Sequence, residues 1–251
     1  MKIAIVTGAS SGLGREFLNQ ILAQSVDCDQ IWAIARSGDK LAQLTQALGA
    51  KVVAVPLDLT DRQALADFAA RLQEASPHIT ALINNAGVGV LGNFADSPTA
   101  AQINMLDLNV TALTAMTSLC LPYMQKGGFV LNVCSIAAFV PTPRMTVYAA
   151  TKSYVYAFSK AMGEELAPKG ITVCAVCPGP MATPFLDTAG ITGQSKTFET
   201  LPYDNAEKVA KAAVRAALRG RRVVTPHPLY KFYRLLGKQI PHRILMKISK
   251  T

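Results

Sequence analysis

Acid is missing from the end of this 251-residue chain: residues 208–251 carry twelve Lys or Arg and no Asp or Glu. The first 207 residues hold 13 basic (25 less 12) against 16 acidic, a net of −3. The formal charge of +9 therefore belongs to the C-terminal segment, and no nucleic-acid motif accompanies it, which argues against DNA or RNA as partner. Histidine is scarce; His78, His227 and His242 are scattered, and no metal-ligand cluster is expected. The five cysteines, Cys28, Cys120, Cys134, Cys174 and Cys177, are odd in number and sit mostly in apolar runs, so buried free thiols are expected rather than a disulfide framework. Cys174 and Cys177 form a C-x2-C, but in a strand residues three apart point to opposite faces, which argues against a zinc or redox pair. No uninterrupted apolar run approaches ~20 residues, so no spanning helix is expected. A core strand beginning at Lys2 leaves no room for a signal peptide, and a cytoplasmic location is the expectation. Linkers, low-complexity stretches and repeats are also lacking.

What is present suits one large α/β unit. Half of the residues are hydrophobic and 16% are charged, on a chain long enough to bury a substantial core. Strand-like runs near 2–6, 30–35, 51–56, 79–84, 128–134, 171–177 and 222–225 alternate with helical patterns. That alternation predicts a doubly wound parallel sheet. The expected division is a catalytic domain over 1–225 and a basic amphipathic helical extension over 226–251.

The first run, Lys2-Ile3-Ala4-Ile5-Val6, leads straight into Thr7-Gly8-Ala9-Ser10-Ser11-Gly12-Leu13-Gly14 and then a helical pattern through Phe17, Leu18, Ile21 and Leu22. A buried strand, a tight glycine turn and a helix start make a dinucleotide site of the Rossmann kind, with the pyrophosphate facing the helix N-terminus. The spacing is Gly-x3-Gly-x-Gly rather than the commoner G-x-G-x-x-G. An NAD site usually has an acid at the end of the second strand; here the run ends Ala35-Arg36-Ser37, with no acid before Asp39. Arg36 offers a planar, permanently charged fork to a 2′-phosphate, and Arg15 and Ser10 could add to it. NADP(H) is the expected cofactor.

Tyr148-Ala149-Ala150-Thr151-Lys152 lies thirteen residues after Ser135 in a helix-like run. Residues four apart share a helix face, so Lys152 can sit beneath the Tyr148 ring. A free phenol titrates near pH ~10, and a nearby ammonium is expected to lower that value and make a proton donor or acceptor. Tyr156 and Lys160 repeat the pattern, but eight residues at ~1.5 Å each place Tyr156 about 12 Å along the helix, too far to share a site with Tyr148.

With these motifs the chain resembles the short-chain dehydrogenase/reductase family over residues 1–225. The matching positions are the glycine turn from Thr7 to Gly14, Asp58, Asn84-Asn85-Ala86-Gly87, Asn109, Ser135, Tyr148, Lys152 and Pro178-Gly179. The resemblance implies that Gly8, Ser10, Ser11, Gly12, Leu13, Gly14, Arg15 and Arg36 hold the cofactor. It further implies that Asp58 meets the adenine amine beside Leu59, and that Asn85, Ala86 and Gly87 line the adenosine side and steady the central strands. Pro178, Gly179, Met181 and Thr183 would shape the nicotinamide pocket, with Thr183 reaching the carboxamide. By the same resemblance Tyr148 transfers a proton, Ser135 polarises a carbonyl, Lys152 also holds the nicotinamide ribose, and Asn109 positions a water linking Lys152 to solvent. A homodimer or homotetramer is implied.

Segments expected to border the substrate, 88–94, 136–145 and 181–203, are mainly apolar, with Phe94, Phe139, Met145, Met181, Phe185 and Leu186. A hydrophobic ketone or alcohol is expected: steroid-like, long-chain 3-oxoacyl or xenobiotic. Arg144 could receive an anionic group or be a solvated loop charge. Catalytically weak, dinucleotide-responsive binding is the reading from another class, and retention of the Ser, Tyr and Lys weighs against it. A sugar-nucleotide epimerase or dehydratase would usually have Gly-x2-Gly-x2-Gly and a larger C-terminal domain. In the tail, Tyr230, Phe232, Tyr233, Leu235, Leu236, Ile240, Ile244, Leu245 and Ile248 interleave with Lys231, Arg234, Lys238, Arg243, Lys247 and Lys250, and Pro241 is expected to split two short helices. Such a stretch either docks its apolar face on the domain or a second subunit, the preferred reading, or makes peripheral contact with an anionic membrane.

Overall fold

Short strands that are apolar on both faces are satisfied only between two layers of helix. The computed structural model describes residues 1–248, the side chains of Lys196 and Ile248 excepted; Lys250 and its neighbours lie outside the described residues. The chain runs β1 (Lys2–Thr7), α1 (Gly12–Ala23), β2 (Gln30–Ala35), α2 (Gly38–Leu48), β3 (Val52–Pro56), α3 (Arg62–Ala75) and β4 (His78–Asn84). A long helical run follows, α4 (Thr99–Leu106), a π-helical turn (Asp107–Ala112) and α5 (Leu113–Cys120). Then come β5 (Met124–Val133), α6 (Thr146–Leu166), β6 (Thr172–Val176), the short α7 (Pro184–Thr188) and α8 (Lys196–Thr200), α9 (Ala206–Leu218) and β7 (Val223–Val224). Helices α10 (Pro228–Gln239) and α11 (His242–Ile248) form the tail on either side of Pro241.

All seven strands are parallel, in the order β3-β2-β1-β4-β5-β6-β7. The order reverses between β1 and β4, and the crevice outside their carboxyl ends is where such sheets hold ligands. Alternation along β1 sends Ala4 and Val6 to one layer, with Phe17, Leu18 and Val214, and Ile3 and Ile5 to the other, with Trp32, Phe68 and Met116. Phe17 is fully buried, and truncating such a ring to alanine costs about 3–5 kcal/mol. Strand β5 begins four residues earlier than the run 128–134 predicts. Gly127, at φ 90°, shifts the register so that Met124 pairs with Ile79 and Phe129 with Ala81.

The helical run Thr99–Tyr123 is, among the described residues, one that is long and apolar enough to span a bilayer by length and composition. One face of it is bound into the core, while Ile103 and Leu106 are exposed. Met105, Asn109, Leu113, Met116, Thr117 and Cys120 are buried, and Thr117 Oγ1 accepts a 2.9 Å bond from Asn84 Nδ2. The cysteines are all free and buried. Cys174 packs in the α1–α9 layer and Cys177 in the cluster under α6 and α10, so the C-x2-C points to opposite faces.

Candidate active site

The glycine turn between β1 and α1 is fixed by its neighbours. Thr7 Oγ1 accepts the N–H groups of Asn85 and Ala86, each at 3.0 Å, while Asn85 Nδ2 donates to the carbonyls of Thr7 and Gly8. Gly8 and Gly12 take φ of 63° and 52°, where a side chain is disfavoured. A Cβ on Gly14 would lie 2.1 Å from Gly8 O, so this glycine lets the helix pack on the turn rather than facing the cleft. Ser11, the residue before α1, makes no side-chain cap, and the first turn of α1 holds no acid. The helix thus presents backbone N–H groups and a positive dipole end to the cleft, which fits the phosphates of a dinucleotide.

One large cleft, about 1000 Å³, runs from this turn across the carboxyl ends of the strands. Of the residues expected at a cofactor, Gly8, Ser10, Ser11, Gly12, Leu13, Arg36, Asp58, Leu59, Asn85, Ala86, Gly87, Pro178, Gly179, Met181 and Thr183 line it. Gly14 and Arg15 do not. Gly14 is buried under the turn, and Arg15 projects from the exposed side of α1. Asp58 is held below its ordinary pKa mainly by hydrogen bonds from the Thr60 hydroxyl (2.7 Å) and N–H (2.9 Å), with Arg36 contributing. Lys40 also lines the cleft beside Arg36, in the first turn of α2, which Ser37 caps. Its sequence signal, a cation four residues after Arg36 across a helix start, was available but is weak without the fold.

Ser135, Tyr148 and Lys152 converge on the middle of the cleft. Ser135 ends the β5 edge and caps a short turn through Ala137 N–H at 3.1 Å, and it hydrogen-bonds the Tyr148 hydroxyl. Lys152 Nζ lies 5.7 Å from the Tyr148 ring centroid and donates to Val133 O at 2.8 Å. The expected lowering of the phenol is reversed here. Burial pushes Tyr148 up to about 12 against the opposing Ser135 hydrogen bond, and burial also lowers Lys152, which makes it the weaker cation. Tyr156 and Lys160 stay out of the cleft, with Tyr156 edge-on to Phe139 at 5.6 Å.

Asn109 is buried behind this group rather than lining it. It sits in the π-helical turn, where Oδ1 accepts Val88 N–H at 2.9 Å and Nδ2 donates to Val88 O at 2.8 Å and Thr151 Oγ1 at 3.1 Å. Thr151 in turn donates to Tyr148 O at 2.7 Å, so Asn109 ties the α6 backbone to the loop after β4. A Cβ on Gly87 would meet Asn109 Oδ1 at 3.0 Å and Lys152 Nζ at 3.5 Å, which leaves room there for hydrogen alone. A further polar ladder, unread in the sequence, joins Asn84 to Asn132 and Asn132 to Ser159, each at 2.9 Å, across β4, β5 and α6.

The remaining wall is apolar. Met145, Met181, Phe185 and Leu186 line the cleft as expected, together with Ile191, Phe198 and Leu201. Phe94 and Phe139 do not: Phe94 is 60% exposed on an outward turn, and Phe139 is turned toward Tyr156 and Tyr233. Arg144, at φ 65°, is also outside the lining. The tail supplies Leu229, Tyr230, Phe232, Tyr233 and Leu236 to the same cleft. Tyr230 is buried against Gly179, where any Cβ would lie 2.0 Å from its ring, and its hydroxyl donates to Pro202 O at 2.6 Å. Asp204 holds Gly179 N–H at 2.7 Å from the other end of the same loop.

Comparison with known proteins agrees with this geometry. The short chain dehydrogenase family profile matches residues 2–194. An uncharacterized oxidoreductase of Staphylococcus epidermidis is 29% identical over 217 residues, 86% of this chain and 90% of that protein. A ketoacyl reductase of a Nostoc species is 29% identical over 222 residues, 86% of this chain and 75% of that one. Among solved structures, a short-chain dehydrogenase of Sphingobium yanoikuyae in complex with NADPH superposes with a TM-score of 0.79 at 30% identity, covering 98% of this chain and 95% of that one. A 3-ketoacyl-(acyl-carrier-protein) reductase of Brucella melitensis complexed with NADH gives 0.75 at 25% identity, over 90% and 97%. The chain belongs to the short-chain dehydrogenase/reductase family of oxidoreductases.

Proposed function

We propose that the protein is an NADP(H)-dependent carbonyl reductase, or alcohol dehydrogenase in reverse, acting on a hydrophobic ketone or alcohol. The observation that carries this reading is the meeting of Ser135, Tyr148 and Lys152 where the glycine-turn half of the cleft joins the apolar half. A nicotinamide dinucleotide supplies the hydride when bound. The Tyr148 hydroxyl gives its proton to the carbonyl oxygen as that oxygen becomes an alkoxide, and Ser135 donates a hydrogen bond to the same oxygen. Lys152 would hold the nicotinamide ribose and support the Tyr148 oxygen as its proton leaves. Asn109 is a positioning residue, acting through the Val88 backbone and Thr151. With its pKa raised by burial, the Tyr148 phenol carries its proton in the neutral range, as a proton donor must.

Preference for NADP(H) rests on Arg36, exposed at the cleft edge with Lys40 nearby and no acid at the end of β2. The matched structures hold either NADPH or NADH, so the preference is read from these side chains. The apolar wall supports a steroid-like, long-chain 3-oxoacyl or aromatic ketone. Purified protein should oxidise NADPH faster than NADH across a panel of such ketones. Tight NADPH binding with no turnover on any ketone would favour the dinucleotide-responsive binding protein instead.

A further inference from the structure

The rim of the cleft has an outer surface that neither cofactor nor proton transfer uses. Helix α10 turns Tyr230, Tyr233 and Gly237 inward. At about 100° per residue the opposite face falls to Phe232, Leu235 and Gln239, with Lys231 and Lys238 along one side. Phe232 and Leu235 are 57% and 55% exposed. Helix α11 repeats the arrangement, with Leu245 buried, Ile244 53% exposed, and Arg243 and Lys247 exposed beside it. Residues 228–248 contain no acid. The outer face is therefore a ridge of large apolar side chains flanked by cations of one sign.

We propose that α10 and α11 dock peripherally on an anionic lipid bilayer. Phe232, Leu235 and Ile244 enter the interfacial layer, and Lys231, Lys238, Arg243 and Lys247 lie at the headgroups, their stems snorkelling outward. Charge selects this occupant. A symmetric contact with a second copy would set the same cations against each other, whereas an anionic surface matches a segment with no acid. Position supports it as well, because Leu229 and Phe232 belong to both the exposed rim and the cleft lining. A docked protein would open its apolar cleft onto the layer where hydrophobic carbonyl compounds dissolve. The proposal stands independently of the reaction assigned above.

The test uses the full chain with two kinds of vesicle, phosphatidylcholine alone and phosphatidylcholine with about one-third phosphatidylglycerol, in low and high salt. Two variants change the ridge without touching the cleft lining: Leu235→Asp with Ile244→Asp, and Lys231→Glu with Lys238→Glu and Lys247→Glu. Circular dichroism and sedimentation velocity verify fold and assembly. Co-sedimentation with anionic vesicles is expected at low salt and not with phosphatidylcholine alone. It should fall at least tenfold in salt and in each variant, since each near-surface cation is worth about a fivefold gain in partition. Equal binding to both vesicles, no binding to either, or binding unaltered in both variants would overturn the proposal. A changed oligomer in Leu235→Asp with Ile244→Asp, without vesicle binding by the parent, would assign the ridge to a second copy and overturn it too.

Discussion

The two ends of the cleft are built on different physics, and their glycines show it. At the cofactor end, added atoms collide with backbone: a Cβ on Gly14 would meet Gly8 O at 2.1 Å, and one on Gly8 would meet Ala86 Cα at 2.9 Å. At the substrate end, a Cβ on Gly89 would meet side chains only, Phe185 Cζ at 2.8 Å first, while Gly190 and Gly193 have nothing within 4 Å and serve only positive φ, at 66° and 69°. The cofactor end is thus held by strands buried on both faces, by Thr7 and Asn85, and by close packing. The substrate end is a set of short helices, α7, α8 and α10, laid over apolar side chains. The first region leaves one geometry to its ligand, while the second sets a chemical character and leaves shape to loops.

Tyr148→Phe is the sharpest break, since the chemistry sits at the border between the two regions. Turnover should fall by about 10²–10⁴-fold with NADPH affinity nearly intact, measured by steady-state rates and by fluorescence titration. Tyr156→Phe, outside the cleft, should change little. Parental turnover in Tyr148→Phe would remove the proton-transfer assignment.

Glycine replacements test the comparison directly. Gly14→Ala, which forces α1 off the turn, should cost about 3 kcal/mol or more of stability and abolish dinucleotide binding. Gly190→Ala should cost about 1 kcal/mol, the strain of positive φ alone, and leave cofactor affinity unchanged. Equal losses in chemical denaturation would mean that the two ends are equally constrained.

Arg36→Ala should weaken NADPH by about 1.5–3 kcal/mol, the worth of a charge-assisted phosphate contact, and leave NADH nearly unaltered. Lys40→Ala should cost less, because its single ammonium lacks the fork. Calorimetric titration of both cofactors reads this out, and equal dissociation constants for the parent would end the NADP(H) reading.

Buried thiols make stability fall in base. Burial pushes Cys120 and Cys174 up to about 12, so above roughly pH 8.5 the unfolded chain loses protons that the folded chain keeps. Stability contributed below that pH is lost as pH rises, by about 1.4 kcal/mol per thiol between pH 7.5 and 9.5. Denaturation midpoints at the two pH values measure the fall, and Cys120→Ala should remove its share of the slope. Both thiols belong to the packed sheet, Cys174 on β6 and Cys120 at the end of α5, so the sensitivity belongs to the sheet and its covering helices rather than to the loops of the substrate end.

The same division governs how much could be read from the chain. Period-two apolar runs and a glycine turn are local signals, and the sheet, the order Gly8 to Gly12, Arg36, Ser135, Tyr148 and Lys152 all fall where such signals put them. What escaped depended on distant packing. Phe94 and Phe139 carry the same hydrophobicity as Phe185, yet only the fold decides that Phe185 meets the Tyr148 ring at 5.8 Å while the others turn away. The direction of the Tyr148 pKa escapes the sequence for a related reason: spacing announces Lys152 four residues on, but not the burial that raises the phenol. The ladder Asn84–Asn132–Ser159 joins residues 48 and 27 apart, and no pattern in the chain links them.

Tyr230 is where the two regions touch, and its replacement is the smallest and most specific test. Its ring lies on Gly179, in the loop after β6, and its hydroxyl holds Pro202 O at 2.6 Å, further along the chain. Tyr230→Phe keeps the ring and removes one hydrogen bond, which should cost about 0.5–1.5 kcal/mol of stability. The loop from 181 to 203 would then lose one of its anchors while Asp204 still holds Gly179. The expected kinetic signature is a several-fold rise in KM for bulky ketones, with kcat and NADPH affinity near the parental values, because the Tyr148 side of the cleft is untouched. A fall in kcat with KM unchanged would mean that α10 acts through the nicotinamide pocket instead, and that the substrate end is more tightly joined to the cofactor end than the open surroundings of Gly190 and Gly193 indicate.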